Sequence, residues 1–152
     1  MAGARYPANG DQNLTTTRIT ALSVTGNATT AHRGWVYDMY FGNEGTPADL
    51  AGTYLVERCT APGTATAVTP GKIDEQDRAA QAVANENHTV EPTYTANEIM
   101  LEVPVNHRGT YRWIAPPGGE LVIPATTTDG FGGNSLHASA TTLFRIGMAW
   151  IE

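Results

Sequence analysis

Ser135 and His137 stand two residues apart in the run Asn134-Ser135-Leu136-His137. Successive strand side chains alternate between faces, so on a strand this pair shares one face, within reach of a serine–imidazole contact. A nucleophile also needs an acid to orient the imidazole and donors for an oxyanion, and nothing nearby in the sequence specifies either. His32, His88 and His107 complete the histidines, and none falls at a His-x-His or His-x-x-x-His spacing. Cys59 is the only cysteine. The expectation is no catalytic residue, no metal and no cofactor.

The run Asp129-Gly130-Phe131-Gly132-Gly133-Asn134 is rich in glycine. It lacks the Lys-Ser/Thr ending of a phosphate-cradling loop, and calcium would want more carboxylates than Asp129 alone. It reads as a flexible surface loop in which glycine supplies positive φ. Asn-x-Thr sequons begin at Asn13, Asn27 and Asn87 and read as chance matches in a threonine-rich chain. Trp35, Tyr40, Trp113 and Trp150 could furnish a sugar-binding surface, although alternating aromatics more often build a core.

The elements that must position these residues are strands. The chain has 152 residues, enough for one core, and only 16% of them are charged. Thr, Ala, Gly, Asn and Pro fill the gap, a mixture that favours short strands and turns. A net charge of −6 with nine Lys and Arg argues against a nucleic-acid partner. No apolar run reaches membrane-spanning length, so no membrane partner is expected. The first residues carry no apolar leader core, so folding in a cytoplasm is expected.

Residues 1–13 lack periodicity and are expected to form an extended arm, with Arg5, Tyr6 and Pro7 free to meet a neighbouring subunit. Residues 14–152 are expected to form one domain. Its clearest strand is Trp35–Phe41, with Trp35, Tyr37, Met39 and Phe41 on one face. Tyr54–Cys59 is expected to pair with it. Asp74 is placed to cap a short helix through Glu75–Ala84, ended by Asn85. Pro104 confines the strand around Ile99–Val103 to an edge, or ends it. Tyr111 and Trp113 share a face, and so do Phe144, Ile146, Met148 and Trp150. The fold class expected is all-β, an antiparallel β-sandwich of jelly-roll or Greek-key type with one short helix.

Three stretches, residues 46–70, 87–130 and the terminal Ala149-Trp150-Ile151-Glu152, resemble small β-rich proteins from tailed-phage structural gene clusters. The shared run is Arg112-Trp113, then Pro117 to Glu120, then Ile123 to Thr126. The resemblance covers roughly residues 33–152 and points to capsid decoration, or cement, proteins. It implies a non-enzymatic virion protein, made in the host bacterial cytoplasm, that binds the major capsid protein on the outer shell as a homo-oligomer, commonly a trimer. Candidate contacts are Arg5, Tyr6, Pro7, Asp129 and Phe131. Alternatives are a single jelly-roll coat protein, which the lack of a basic arm lowers, and a sugar-binding module of a phage fibre.

Overall fold

The computed structural model describes residues 3–27, 29–137 and 142–152. Among them are eleven strands and no helix: β1 (Arg5–Asn13), β2 (Ile19–Thr25), β3 (Gly34–Glu44), β4 (Ala51–Ala61), β5 (Thr64–Val68), β6 (Val83–Val90), β7 (Thr93–Asn106), β8 (Tyr111–Ile114), β9 (Leu121–Ile123), β10 (Gly130–His137) and β11 (Leu143–Ile151). All pairings are antiparallel. Sheet A runs β1-β11-β3-β8, with β9 also on β3; sheet B runs β5-β6-β2-β10-β4-β7. Early strands thus pair with late ones while alternating between sheets. That is the jelly-roll order, extended by β5 and β6 beside β2.

The core lies between the sheets. Tyr6, Val36, Met39, Phe41, Phe144, Ile146, Met148 and Trp150 from sheet A meet Leu22, Val24, Tyr54, Val56 and Phe131 from sheet B. β11 keeps the alternation expected of it, and burying side chains of this size stabilises by about 1.5–3 kcal/mol each. β7 is an edge strand, where the missing amide of Pro104 breaks no ladder.

Five expectations need correction. Residues 5–13 form no free arm: β1 pairs with β11 over its whole length and places Tyr6 and Ala8 in the core. The helix at 75–84 is a single turn, Asp74–Asp77, followed by bends. Its backbone groups are taken elsewhere, since Glu152 accepts from the Gln81 and Ala82 amides and Tyr6 donates to the Arg78 carbonyl. A short, thinly apolar helix cannot compete with such partners.

β3 and β4 do not pair but lie in opposite sheets. A bulge at Tyr37 shifts the register of β3 against β11, so Val36 and Met39 both face the core while Trp35 turns outward. The glycine-rich run is no surface loop either: it opens β10, a buried strand in the middle of sheet B. Its glycines permit close packing. A Cβ on Gly133 would sit 2.0 Å from Ile146 Cδ1, and one on Gly130 2.1 Å from the Val24 carbonyl oxygen.

Candidate functional site

Ser135 and His137 do share a face, the inner face of β10, and a third group joins them. His137 Nε2 meets Ser135 Oγ, and His137 Nδ1 meets Nε2 of His107 from the turn after β7. The two imidazoles stand edge to face, 3.7 Å between centroids. The His107 amide donates to Leu50 O at 2.9 Å, and Asn43 Nδ2 donates to the His107 carbonyl at 2.9 Å and to the Tyr54 hydroxyl at 3.0 Å. Gly52 leaves the room the ring needs, since a Cβ there would lie 1.9 Å from His137 Nδ1.

Serine, imidazole, imidazole is the order of nucleophile, base and orienting group. The orienting acid missing from the sequence is replaced by His107, which a search for carboxylates overlooks. Ser135 is 0% exposed, however, and both imidazoles are 2% exposed. No substrate reaches Oγ without parting β4 from β10. Burial, and then the neighbouring His107, push His137 down to about 4. Burial also lowers His107 and raises Tyr54 to about 12. Burial thus favours the neutral form of both imidazoles.

The outer face of sheet B holds a second sealed cluster. Glu57, 4% exposed, accepts from Arg18 at 2.8 and 2.9 Å and from Asn134 Nδ2 at 2.7 Å. The Thr20 hydroxyl donates to Glu91 and lies 2.5 Å from the Tyr94 hydroxyl. His88 Nδ1 donates to Thr20 O at 3.2 Å, which leaves Nε2 to accept from Ser23 Oγ at 3.0 Å. Burial lowers His88 against the pull of Glu91. Burial, helped by Asp129, raises the Cys59 thiol to about 12, so it is an inert thiol. Among the described residues no group of three or more His, Cys, Asp or Glu could hold a metal.

The outer face of sheet A is open, and its residues form cross-strand rows. Asn9, Gly147, Tyr40 and Arg112 make one row; Pro7, Ala149, Asp38 and Ile114 the next; Arg5, Ile151, Trp35 and Val122 the third. Arg112 forks onto Asp38 at 2.9 and 2.6 Å, and Arg145 bridges Asp11 at 2.9 Å and Glu44. Two shallow depressions flank the middle row. One, about 530 Å³, is lined by Tyr40, Gly42, Glu44, Thr110, Arg112 and Arg145 among others; the second, about 570 Å³, by Arg5, Trp35, Tyr37, Glu120 and Ile151.

The sequence-predicted contacts are not brought together. Arg5 is exposed and Pro7 half-buried on sheet A, while Asp129 is half-buried at the start of β10. Tyr6 is sealed against Trp150, and Phe131 lies buried under the Arg58 guanidinium, 4.8 Å away. Of the four aromatics considered for sugar, Trp35 and Tyr40 are exposed, Trp113 packs against the core and Trp150 is buried in it. Compared with known proteins, the chain matches no family model, no curated protein and no solved structure.

Proposed function

We propose that this chain is a non-enzymatic virion structural protein, a decoration protein that binds the outer capsid lattice as a homo-oligomer, a trimer by expectation, and stabilises it. One placement supports the reading: most of the run that carries the phage resemblance, from Arg112 to Ile123, occupies a single outer edge of sheet A. β8 and β9 pair with consecutive stretches of β3 and act as one edge strand, interrupted by Ala115–Glu120. The Ala115 amide closes the first half on Tyr37 O at 2.9 Å, at the β3 bulge.

Pro116–Gly119 is exposed between the two halves. Two prolines, a Gly119 amide donated to Pro116 O at 2.8 Å and a Gly118 φ of +80° make it a stiff turn. A stiff contact loses little freedom on docking. Each copy needs only a weak grip, because the many equivalent sites of a lattice add up once the copies are joined. The only serine–histidine pair within hydrogen-bonding distance among the described residues besides the Ser23–His88 pair is the Ser135–His137 pair, and both are sealed.

The test is re-binding of purified protein to capsids stripped of their outer proteins, after its mass is measured by light scattering. The expected result is a trimer that saturates the shell. A variant with Ala115–Glu120 exchanged for a Gly-Ser linker of equal length should stay folded and lose re-binding. Folded wild-type protein that ignores the capsids would sink the reading, and a megadalton self-assembled particle would favour the coat-protein alternative.

A further inference from the structure

The open face of sheet A carries an aromatic platform whose geometry asks for a ligand. Tyr40 on β3 lies directly across from Gly147 on β11, which in turn lies across from Asn9 on β1. A Cβ on Gly147 would sit 2.3 Å from Cε1 and Cζ of Tyr40. The tyrosine ring therefore lies flat on the sheet, over the one residue type that leaves it room. Its hydroxyl donates to Asn9 Oδ1 at 2.5 Å, which pins the far end of the ring. One ring face rests on the backbone and the other meets solvent, so the side chain is 48% exposed yet fixed.

Trp35 is the second exposed ring of this face, in the row of Ile151. The two rows lie four residue steps apart along β11, from Gly147 to Ile151, about 13 Å at ~3.3 Å per residue. The floor between them is Ala149, small enough to keep the strip level. Asp38 and Arg112 border it as a forked ion pair, offering fixed donors and acceptors side by side. The charges of this face are largely paired off among Arg112, Asp38, Arg145, Asp11 and Glu44, although the whole chain carries −6.

We infer that this strip binds a neutral oligosaccharide, with sugar rings stacked on Tyr40 and Trp35 and hydroxyls taken by the Asp38–Arg112 fork. Flat aromatic faces suit the C–H faces of pyranose rings, and a few convergent polar groups give orientation. An acidic peptide would meet carboxylates on both borders, and an anionic glycan would find the Arg112 and Arg145 guanidinium groups already paired, with only Arg5 of this face, at the Trp35 end, outside any ion pair among the described residues. The spacing of the rings suits a chain of sugars rather than one. The inference stands apart from the lattice reading, because free protein suffices to test it.

The probe is an array of neutral gluco-, galacto-, manno- and N-acetylglucosamine oligosaccharides printed beside sulfated and sialylated ones, followed by a tryptophan-fluorescence titration with the oligosaccharide that binds. Tyr40→Ala and Trp35→Ala should each weaken binding by about tenfold. Tyr40→Phe, which keeps the ring but not the Asn9 bond, should weaken it only a few-fold. Ile73→Ala, outside the strip, should change nothing, and thermal unfolding of each variant checks that the fold is intact. The inference fails if wild-type protein binds no neutral glycan, or if binding survives both alanine variants. Binding confined to sulfated or sialylated glycans would overturn it too, as would self-association that Trp35→Ala abolishes.

Discussion

The two sheets treat their polar groups in opposite ways. Sheet B carries Thr20, Ser23, Glu57, His88, Asn134, Ser135 and His137, all buried. Sheet A carries Asp11, Asp38, Arg112 and Arg145 on an open face, with the arginine side chains 64% and 49% exposed. Ser135 and His137 are buried between the sheets; for the groups on the outer face the cause is coverage, since Glu91 and Tyr94 reach across the outside of sheet B to Thr20, whereas among the described residues nothing comparable lies over sheet A. A buried polar group is costly once it loses a partner, while an exposed ion pair contributes little. Polar chemistry in sheet B is therefore structural, and sheet A is the side that can be altered for binding at small cost to the fold.

The largest expected effect comes from acid. His137 titrates at about 4 when folded and at its ordinary 6.5 when unfolded. Between those values the unfolded chain binds more protons, so its contribution is complete above pH 6.5 and is lost as pH falls towards 4. The shift corresponds to about 3 kcal/mol. His88 and His107 are lowered in the same sense and add to the slope. Urea unfolding followed from pH 7 to 4 should show this loss, and His137→Gln should flatten it while lowering stability at pH 7. A slope unchanged in His137→Gln would show that the imidazole chain is not the sensor.

Next comes Glu57→Ala. It strips Asn134 Nδ2 and Arg18 of their acceptor, but Arg18 is 39% exposed and can turn to water. The expected cost is about 2–3 kcal/mol, below that of breaking a fully buried pair. Gly132→Ala should cost about 2 kcal/mol, because its Cβ would lie 2.1 Å from the Tyr94 hydroxyl, which is held by Thr20. Denaturant midpoints measure both. If either variant were neutral, the cover over sheet B would be looser than its hydrogen bonds imply.

Much of this was legible in the sequence, and the failures have physical causes. The alternation at Phe144–Trp150 and at Tyr111–Ile114 gave correct faces, because those strands run without a bulge. Trp35–Phe41 failed at Tyr37, where one extra residue reverses every face beyond it. The Ser135–His137 contact could be read because both residues ride one strand. Its partner His107 lies 30 residues away, and the Thr20–Glu91 and Glu57–Asn134 contacts span 71 and 77 residues, so only the folded topology brings them together. The glycines of β10 suggested a loop because glycine usually marks backbone freedom. Here they mark the close approach of Tyr94, Ile146 and the β2 backbone.

Gly147→Ala is the smallest and most discriminating test. It resembles Gly132→Ala on paper, since the new Cβ would again lie within 2.3 Å of a tyrosine, this time Tyr40. On the open face that tyrosine can swing into solvent, giving up only its bond to Asn9. Alanine also loses less chain entropy than glycine when a strand forms, which offsets part of the damage. The net change should stay under about 1 kcal/mol. The same swing removes the flat ring, so glycan binding should fall as it does in Tyr40→Ala, while capsid re-binding, assigned to the Pro116–Gly119 turn, should not change. Stability lost as severely as in Gly132→Ala would mean that the outer face of sheet A is as tightly held as that of sheet B, and the contrast between the sheets would collapse.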